Sequence, residues 1–496
     1  MTATSPISTD AYKFSMAQAG FPLRRETFYF SFRRGGIQYI PIDLAARVRE
    51  LLAGLANNPV EHEFARRYGY GMTDAMEAAL AVQGGIEIEA VPRGAWVCER
   101  EPILTITGPS FLVSWLEPML LWLNYPIQLA TALRGLDGAP VPVEWITATC
   151  AEHAAVITAA LADADRAEVE VVREDDAYVA RVRAAVRELV AEVADPDRIF
   201  EVGMRSAVCA EQHRLALEAC RAEGVTRTSN VALARALDMR PVGTMGHEHV
   251  QRWGADLPAF EAMRDMRSAP PSYLLDTFDT MGSGIRAAIT VMHERPHACA
   301  IRYDSGNKFI QYLHACELLR EEGLEPTHVL EDGLDLAATQ HFERLREFTG
   351  WPAPAQVYGY GGSIVAAPMT NPLTRDRVSA VFKLSQTGNE PRMKFGNETG
   401  AGKQSLPGRP ATWRRVRGVG PLGIIGQAGE PVAENYIALT GNEHALEDLR
   451  LCNMHDLRRA RALRAEDVVV RLSEQTAALV AQLRNRSWDG NECGRR

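Results

Sequence analysis

The stretch Pro241-Val-Gly-Thr-Met-Gly-His-Glu-His-Val250 decides how the rest of the chain is read. Pro241 opens a short apolar run, and Gly243, Thr244 and Gly246 loosen and polarise the backbone ahead of His247 and Glu248. That pattern predicts a buried strand running out into a tight turn with an imidazole at its exit. In α/β proteins, ligands bind where parallel strands end. A carboxylate next in sequence, such as Glu248, can orient the imidazole and raise its basicity. The decapeptide alone equally fits a histidine that donates a hydrogen bond to a loop carbonyl, so the choice comes from what surrounds it.

Outward from this stretch the pattern repeats. Between 199 and about 384, short apolar segments alternate with helical spacing. Strands are expected at 199–202, 241–245, 273–275, 298–301, 328–330, 356–358 and 378–382, with helices such as 229–237, 308–322 and 336–348 between them. The predicted strand exits carry polar motifs: Glu201-Val-Gly-Met-Arg205, His247-Glu248, Asp276-Thr-Phe-Asp279, Arg302-Tyr-Asp-Ser-Gly306, Glu331-Asp-Gly-Leu-Asp335 and Tyr358-Gly-Tyr-Gly-Gly-Ser363. Repeated βα units with ligand-like exits predict a parallel α/β barrel. Asp304-Ser305-Gly306 ahead of a helix joins a carboxylate to free amides, which suits a sugar hydroxyl or a magnesium ion beside a phosphate. The glycine-rich turn from Gly359 to Ser363 lets backbone N–H groups approach a phosphate closely.

The totals bound the rest. A chain of 496 residues is too long for one small core, so two or three domains are expected. Residues 1–145 mix short strands and helices, with a strand at 26–32 that ends in the basic turn Arg33-Arg34-Gly35-Gly36. The most apolar stretch, 111–130, contains Glu117, Pro118, Asn124 and Pro126 and reads as a buried helix, not a membrane span. Residues 150–197 read as a pair of solvated helices interrupted by an acidic stretch, and carry no assigned chemistry. A formal charge of -9 without a basic tail argues against nucleic-acid and membrane partners. The polar N-terminus shows no signal peptide, and the 8 cysteines form no CxxC pair, so a reducing cytoplasm is expected. Only five of the 54 basic residues are lysines: Lys13, Lys308, Lys383, Lys394 and Lys403. Where arginine supplies the generic cation, the rare lysines mark positions that need a compact point charge. Lys394 and Lys403, on either side of a glycine-containing loop, suit a polyphosphate.

Taken in order, these motifs resemble those of nicotinate phosphoribosyltransferases, type II enzymes whose class also includes the nicotinamide enzyme. The resemblance is carried by Thr9-Asp-Ala-Tyr-Lys-Phe-Ser-Met16, Gly108-Pro109 with Glu117, Glu201 to Arg205, Thr228-Ser-Asn230, Gly243 to Glu248, Asp304 to Gly306, Gly359 to Gly362 and Leu406-Pro-Gly408. It spans Thr9 to about Trp413, apart from 150–197. It implies an irregular TIM-like α/β barrel over 146–404 and an N-terminal α/β domain over 1–145 completed by 405–496. It also implies a homodimer with shared active sites.

The reaction implied joins nicotinate to the ribose of phosphoribosyl pyrophosphate (PRPP) and releases pyrophosphate with Mg2+ present. ATP is a co-substrate, and its hydrolysis is coupled through a phosphohistidine, here His247, with Glu248 and Asp304 at the reacting centre. Tyr12 would cover the pyridine ring from a neighbouring subunit, and Arg205 and Ser229 would meet its substituent. Arg302, Asp304, Ser305 and Gly306 would address the phosphoribosyl group, with the Gly361 and Gly362 amides on its phosphate. Arg33, Arg375, Lys383, Lys394 and Lys403 match positions that serve pyrophosphate and ATP. The metal ligands stay unassigned. Displacement at an anomeric carbon passes through an oxocarbenium-like state, so positioning and leaving-group charge matter more than a protein nucleophile.

Three positions bear on specificity. Ser229 stands where nicotinamide enzymes carry an aspartate, which favours an acid substrate. Val202 replaces an aromatic residue that sandwiches the pyridine, a loss on the order of 1 kcal/mol, unless Phe200 or another aromatic substitutes. Glu331 replaces a small residue near the phosphate. The competing readings are a nicotinamide or other pyridine phosphoribosyltransferase, a catalytically quiet nucleotide-binding paralogue, and a metal hydrolase using His247 and His249 from one strand face.

Overall fold

Ile199–Glu201 and Gln356–Tyr360 pair in parallel, the first strand of the barrel against its last, and this pairing curls the sheet. The computed structural model describes residues 5–55, 59–82, 85–267, 269–395, 404–417, 420–442, 444–445 and 470–492. Seven parallel strands run in the order Arg240–Pro241, Arg227–Thr228, Ile199–Glu201, Gln356–Tyr360, Thr327–Leu330, Ala300–Tyr303, Ser272–Leu274. The two outermost strands, Arg240–Pro241 and Ser272–Leu274, do not pair with each other, so the barrel stays open along one seam. Helices His247–Trp253 and Asp256–Met266 connect these two strands in sequence. The barrel is therefore TIM-like and irregular, as expected, and its strands are short and mostly buried.

Two of the expected strands behave differently. The segment 241–245 does not continue as a strand: extended pairing stops at Pro241, with only Val242 N reaching Thr228 O at 2.9 Å beyond it. The cause is the N-terminal helix Ala11–Gln18, which lies so close that a Cβ on Gly243 would sit 2.4 Å from the Tyr12 nitrogen. The segment 378–382 belongs to another sheet altogether. It forms part of Ala380–Thr387, which pairs antiparallel with Arg25–Phe32. Its alternate apolar residues complete a different core there, and Phe382 stacks on Phe28 at 5.3 Å between ring centroids. Arg227–Thr228, too short to show a period, was not legible as a strand.

That second sheet has five strands, in the order Glu390–Pro391, Ala380–Thr387, Arg25–Phe32, Pro102–Pro109, Glu87–Ala90. Its core joins Phe28, Phe30 and Phe32 to the helices that follow Pro109. The expected single helix over 111–130 is three short ones, Ser110–Trp115, Glu117–Trp122 and Asn124–Arg134. Pro118 and Pro126 each fall in a first turn, where a missing N–H costs little, so they start helices here rather than breaking one. A four-stranded sheet of Pro410–Arg415, Gly423–Gln427, Tyr436–Ala438 and Val470–Leu472 packs on this layer. Thr412 Oγ1 donates to Pro102 O at 3.0 Å, and Arg414 Nη2 donates to Glu101 Oε2 at 2.5 Å, both out of water.

The acidic segment does form two helices, Ala151–Asp163 and Asp175–Val193. Their outer faces are exposed, but Tyr178 is buried and its hydroxyl donates to Val365 O at 2.8 Å. They serve as a wall of the barrel. Among the described residues, no helix is long and apolar enough to cross a membrane.

Candidate active site

The strand exits, the open seam and the edge of the antiparallel sheet enclose a cavity of about 570 Å³. Tyr12, Arg33, Arg205, His247, Glu248, Arg302, Asp304, Gly361, Gly362, Arg375, Lys383 and Lys394 all line it. Residues from distant parts of the chain are therefore brought together as the motif order predicts. Ser229, Ser305 and Gly306 are not on the lining, and Lys403 lies outside the described residues.

His247 is the first residue of its helix, following Gly246 as N-cap. Its Nε2 lies 3.0 Å from Asp276 Oδ1, 2.7 Å from Lys394 Nζ and 3.8 Å from Asp304 Oδ2. Lys394 also donates to Asp276 Oδ2 at 3.0 Å. Burial and the Lys394 ammonium hold the imidazole below its usual range, against the pull of Asp276. Burial pushes Asp276 up, but His247 and Lys394 together outweigh it and hold the carboxyl below the usual carboxylate range. The lowered range favours the neutral imidazole, between one anion and one cation.

The partner of His247 is Asp276, not the adjacent Glu248. Successive residues on a helix point about 100° apart, and Glu248 turns instead toward Lys13 at 3.1 Å and the Ser114 hydroxyl at 2.5 Å. His249 turns away altogether: it is buried, and its Nε2 lies 2.9 Å from Ala259 O. His247 and His249 therefore lie on a helix rather than on one strand face, and they do not converge on a metal. The one group of metal-ligating side chains found among the described residues is His247, Asp276 and Asp304, whose ligand atoms lie within 4.8 Å of one another. Two carboxylates and a histidine suit a hard divalent cation. Asp276 sits at a strand exit named above, yet no role was assigned to it from the motif.

At the other end of the cavity, Tyr12 donates to Glu117 Oε2 at 2.6 Å, and the Arg205 guanidinium stands 5.4 Å from the Tyr12 ring centre. Tyr12 lines the cavity of its own chain. A bridge between Asp10 and Asn230 and the close approach at Gly243 fasten the N-terminal helix to the same chain's barrel. Arg205 lies between Asp10 (3.5 Å) and Glu117 (3.6 Å). Burial raises the Glu117 carboxyl, but Lys13 and Arg205 outweigh it and hold it ionised. Ser229 lies behind this arginine and donates to Asp10 Oδ1 at 2.5 Å.

Val202 lines the cavity, and Phe200 does not replace the missing aromatic face. Its ring lies on Gly359, where a Cβ would come within 2.8 Å of Phe200 Cε2. Glu331 lines the cavity and forms an ion pair with Arg302, Oε2 to Nη2 at 3.0 Å. Arg302 also donates to Thr244 Oγ1 (2.8 Å), Met245 O (2.9 Å) and Asp304 Oδ1 (2.5 Å). Much of its hydrogen-bonding capacity is spent fastening the loop before His247. Behind Asp304, Ser305 donates to Asp276, and Gly306, at φ +83°, makes the turn into helix Lys308–Glu321. The remaining wall carries the cations Arg33, Arg34, Arg375 and Lys383, with Asp332, Asp335 and Asp376 among them. Lys383 has no hydrogen-bond or ion-pair partner among the described residues, and burial, partly countered by Glu117, brings its ammonium down to about 7.

No protein-family model matches the chain. A nicotinate phosphoribosyltransferase of Mycobacterium tuberculosis is 28% identical over 212 residues, 42% of this chain and 42% of its own length. A nicotinate phosphoribosyltransferase of Bacillus subtilis is 27% identical over 237 residues, 47% of this chain and 44% of its own. The chain thus matches less than half the length of these curated relatives. The crystal structure of nicotinate phosphoribosyltransferase from Porphyromonas gingivalis aligns with a TM-score of 0.56 at 18% identity, covering 81% of this chain and 95% of that one. At that identity the likeness establishes the fold, a type II phosphoribosyltransferase fold.

Proposed function

We propose that the protein is an ATP-coupled nicotinate phosphoribosyltransferase that makes nicotinate mononucleotide and pyrophosphate from nicotinate and PRPP, in NAD salvage. One observation carries the reading: Tyr12 beside Arg205, the cations Arg33, Arg375 and Lys383, and a buried histidine share one cavity of about 570 Å³. The curated relatives support it.

In the synthetic step the pyridine nitrogen attacks C1 of the ribose with its lone pair, the C1–O bond breaks, and pyrophosphate leaves with that electron pair. No proton moves. Tyr12 and Arg205 hold the ring and its substituent, and the cations of the wall take up leaving-group charge. Asp276 and Asp304 would hold Mg2+, which would supply positive charge beside the phosphates. In the ATP step the neutral His247 imidazole attacks the γ-phosphorus, a P–N bond forms, the bond from that phosphorus to the ADP oxygen breaks, and ADP leaves with its electron pair. Hydrolysis of that phosphohistidine then drives synthesis. Lys394 at 2.7 Å neutralises the phosphoryl charge.

A second reading, a nicotinamide phosphoribosyltransferase, is favoured by one observation. Although Ser229 is not an aspartate, the Asp10 carboxylate lies 2.5 Å from its hydroxyl and offsets Arg205. A neutral amide suits such a recess better than a second carboxylate does.

The test is a product assay by mass spectrometry on purified protein with PRPP and Mg2+, offering nicotinate or nicotinamide, each with and without ATP. Nicotinate mononucleotide, increased by ATP, is the expected result. Product from nicotinamide alone establishes the second reading, and product from neither refutes both. The proposal extends to a cytoplasmic homodimer, which fractionation and sedimentation equilibrium address.

A further inference from the structure

A buried chain of alternating charges crosses from the antiparallel sheet to the pyridine end of the cavity. Arg252 Nε donates to Glu26 Oε2 at 2.8 Å, and Arg252 Nη2 lies 3.5 Å from Glu248 Oε1. Lys13 Nζ lies 3.1 Å from Glu248 Oε2 and 2.6 Å from Glu117 Oε2. Glu117 Oε1 then lies 3.6 Å from Arg205 Nη1. Lys13 lies between its two carboxylates, Glu248 and Glu117, and its side chain is 0% exposed. Lys308, by contrast, holds the carbonyls of Glu331 and Asp332, and Lys383 and Lys394 line the cavity. The function above gives Lys13 no part.

Its two anions serve different ends of the cavity. Glu248 follows His247 on the same helix, so a displacement at His247 reaches it directly. Glu117 receives the Tyr12 hydroxyl and faces Arg205. A buried ammonium needs both carboxylates, because each one left alone out of water is costly. Lys13 is a point charge whose N–H groups can follow either partner as it moves. A shift of Glu248 toward or away from it therefore changes how firmly Glu117 is held, and with it the placing of Tyr12 and Arg205.

We propose that Lys13 is a positioning residue that couples the His247 end of the cavity to the pyridine recess. This rests on the phosphoribosyltransferase reading. An ion pair that only supports the fold would leave the two ends independent.

The experiment compares wild type, Lys13→Met, Glu248→Gln and the double variant. It reads KM for the pyridine base that wild type uses, KM for PRPP, the ratio of rates with and without ATP, and Tm. Lys13→Met is expected to raise the base KM about tenfold, leave the PRPP KM within twofold, and bring the ATP ratio toward one. The double variant, which removes the cation together with one of its anions, is expected to recover part of the base KM. A fall in Tm and kcat with the base KM and ATP ratio unchanged overturns the proposal.

Should Lys13→Met fail to fold, Glu248→Gln keeps the volume and the Lys13–Glu117 pair. It is expected to shift the base KM at least threefold from a position outside the pyridine recess, and an unshifted KM overturns the proposal. A wild type that forms no nucleotide product from either base refutes the underlying reading and this proposal with it. That outcome is distinct from an active wild type with unshifted variants.

Discussion

Asp276 Oδ1 lies 3.0 Å from His247 Nε2, although the two residues are 29 positions apart and belong to opposite edges of an open seam. The carboxylate holds the imidazole from one side and Lys394 from the other, so it fixes both partners of the proposed phosphoryl transfer. Asp276→Asn keeps the shape but removes the charge. It is expected to lower ATP-stimulated turnover by about 100-fold, because the charge that orients the nucleophilic imidazole is lost. ATP-independent synthesis should persist at a reduced level. The burial that holds His247 below its usual range also predicts that ATP stimulation survives below pH 6.5, where a free imidazole would charge. Initial rates with and without ATP across pH 5–8 check both.

The Arg414–Glu101 pair ties the C-terminal sheet to the antiparallel one, with side chains 2% and 0% exposed. Arg414→Met is expected to cost about 3–5 kcal/mol, because it strands a buried carboxylate. Burial already raises Glu101, and Arg414 opposes that rise. Without the arginine the carboxyl rises further, so the native state binds a proton that the unfolded state releases. Stability of the variant then falls as pH rises past the unfolded carboxyl range, and the deficit is larger at pH 8 than at pH 5. Urea unfolding at both pH values measures it, and adding Glu101→Gln should recover much of the loss.

Much of this site was legible because its residues follow strands, and strands announce themselves by apolar runs. Arg205, Arg302, Asp304 and Gly361 all sit at such exits. What escaped was set by contacts between distant segments. The 378–382 run looks the same whether it joins a parallel barrel or pairs with Arg25–Phe32; only Phe28 against Phe382 decides. The strand at 241 stops because another helix occupies the space beside Gly243. Adjacency allows Glu248 to orient His247, whereas helix geometry sends it to Lys13. The Asp10–Asn230 bridge, which fastens the N-terminal helix to the barrel, is encoded by no local pattern.

Val202 leaves one face of the pyridine recess without a ring, and Phe200 is committed to Gly359. Val202→Phe should supply the missing stacking partner opposite Tyr12. A stacked pair is worth about 0.5–1.5 kcal/mol, so the KM for the base is expected to fall roughly 2- to 12-fold at that value of energy per decade. The KM for PRPP should not change. A rise in base KM would mean that the larger side chain fills the recess rather than flanking it.

Lys383 offers the most direct test of the cationic wall. Its ammonium faces the cavity without a partner among the described residues and is brought down to about 7 by burial, against Glu117. Below that pH it is charged and attracts phosphate; as pH rises through it the charge is lost and with it the attraction. Binding of pyrophosphate, measured by titration calorimetry without other ligands, is therefore expected to weaken between pH 6 and pH 8, with the midpoint moved upward by the anion itself. Because a bound anion favours the charged form, binding at pH 8 should take up close to one proton, visible as a buffer-dependent heat. Lys383→Met should bind pyrophosphate about tenfold more weakly at pH 6, an effect of the size of one charge-assisted contact. It should also remove the buffer dependence at pH 8. A variant that keeps the proton uptake would assign it to another group in the wall and leave Lys383 outside the phosphate site.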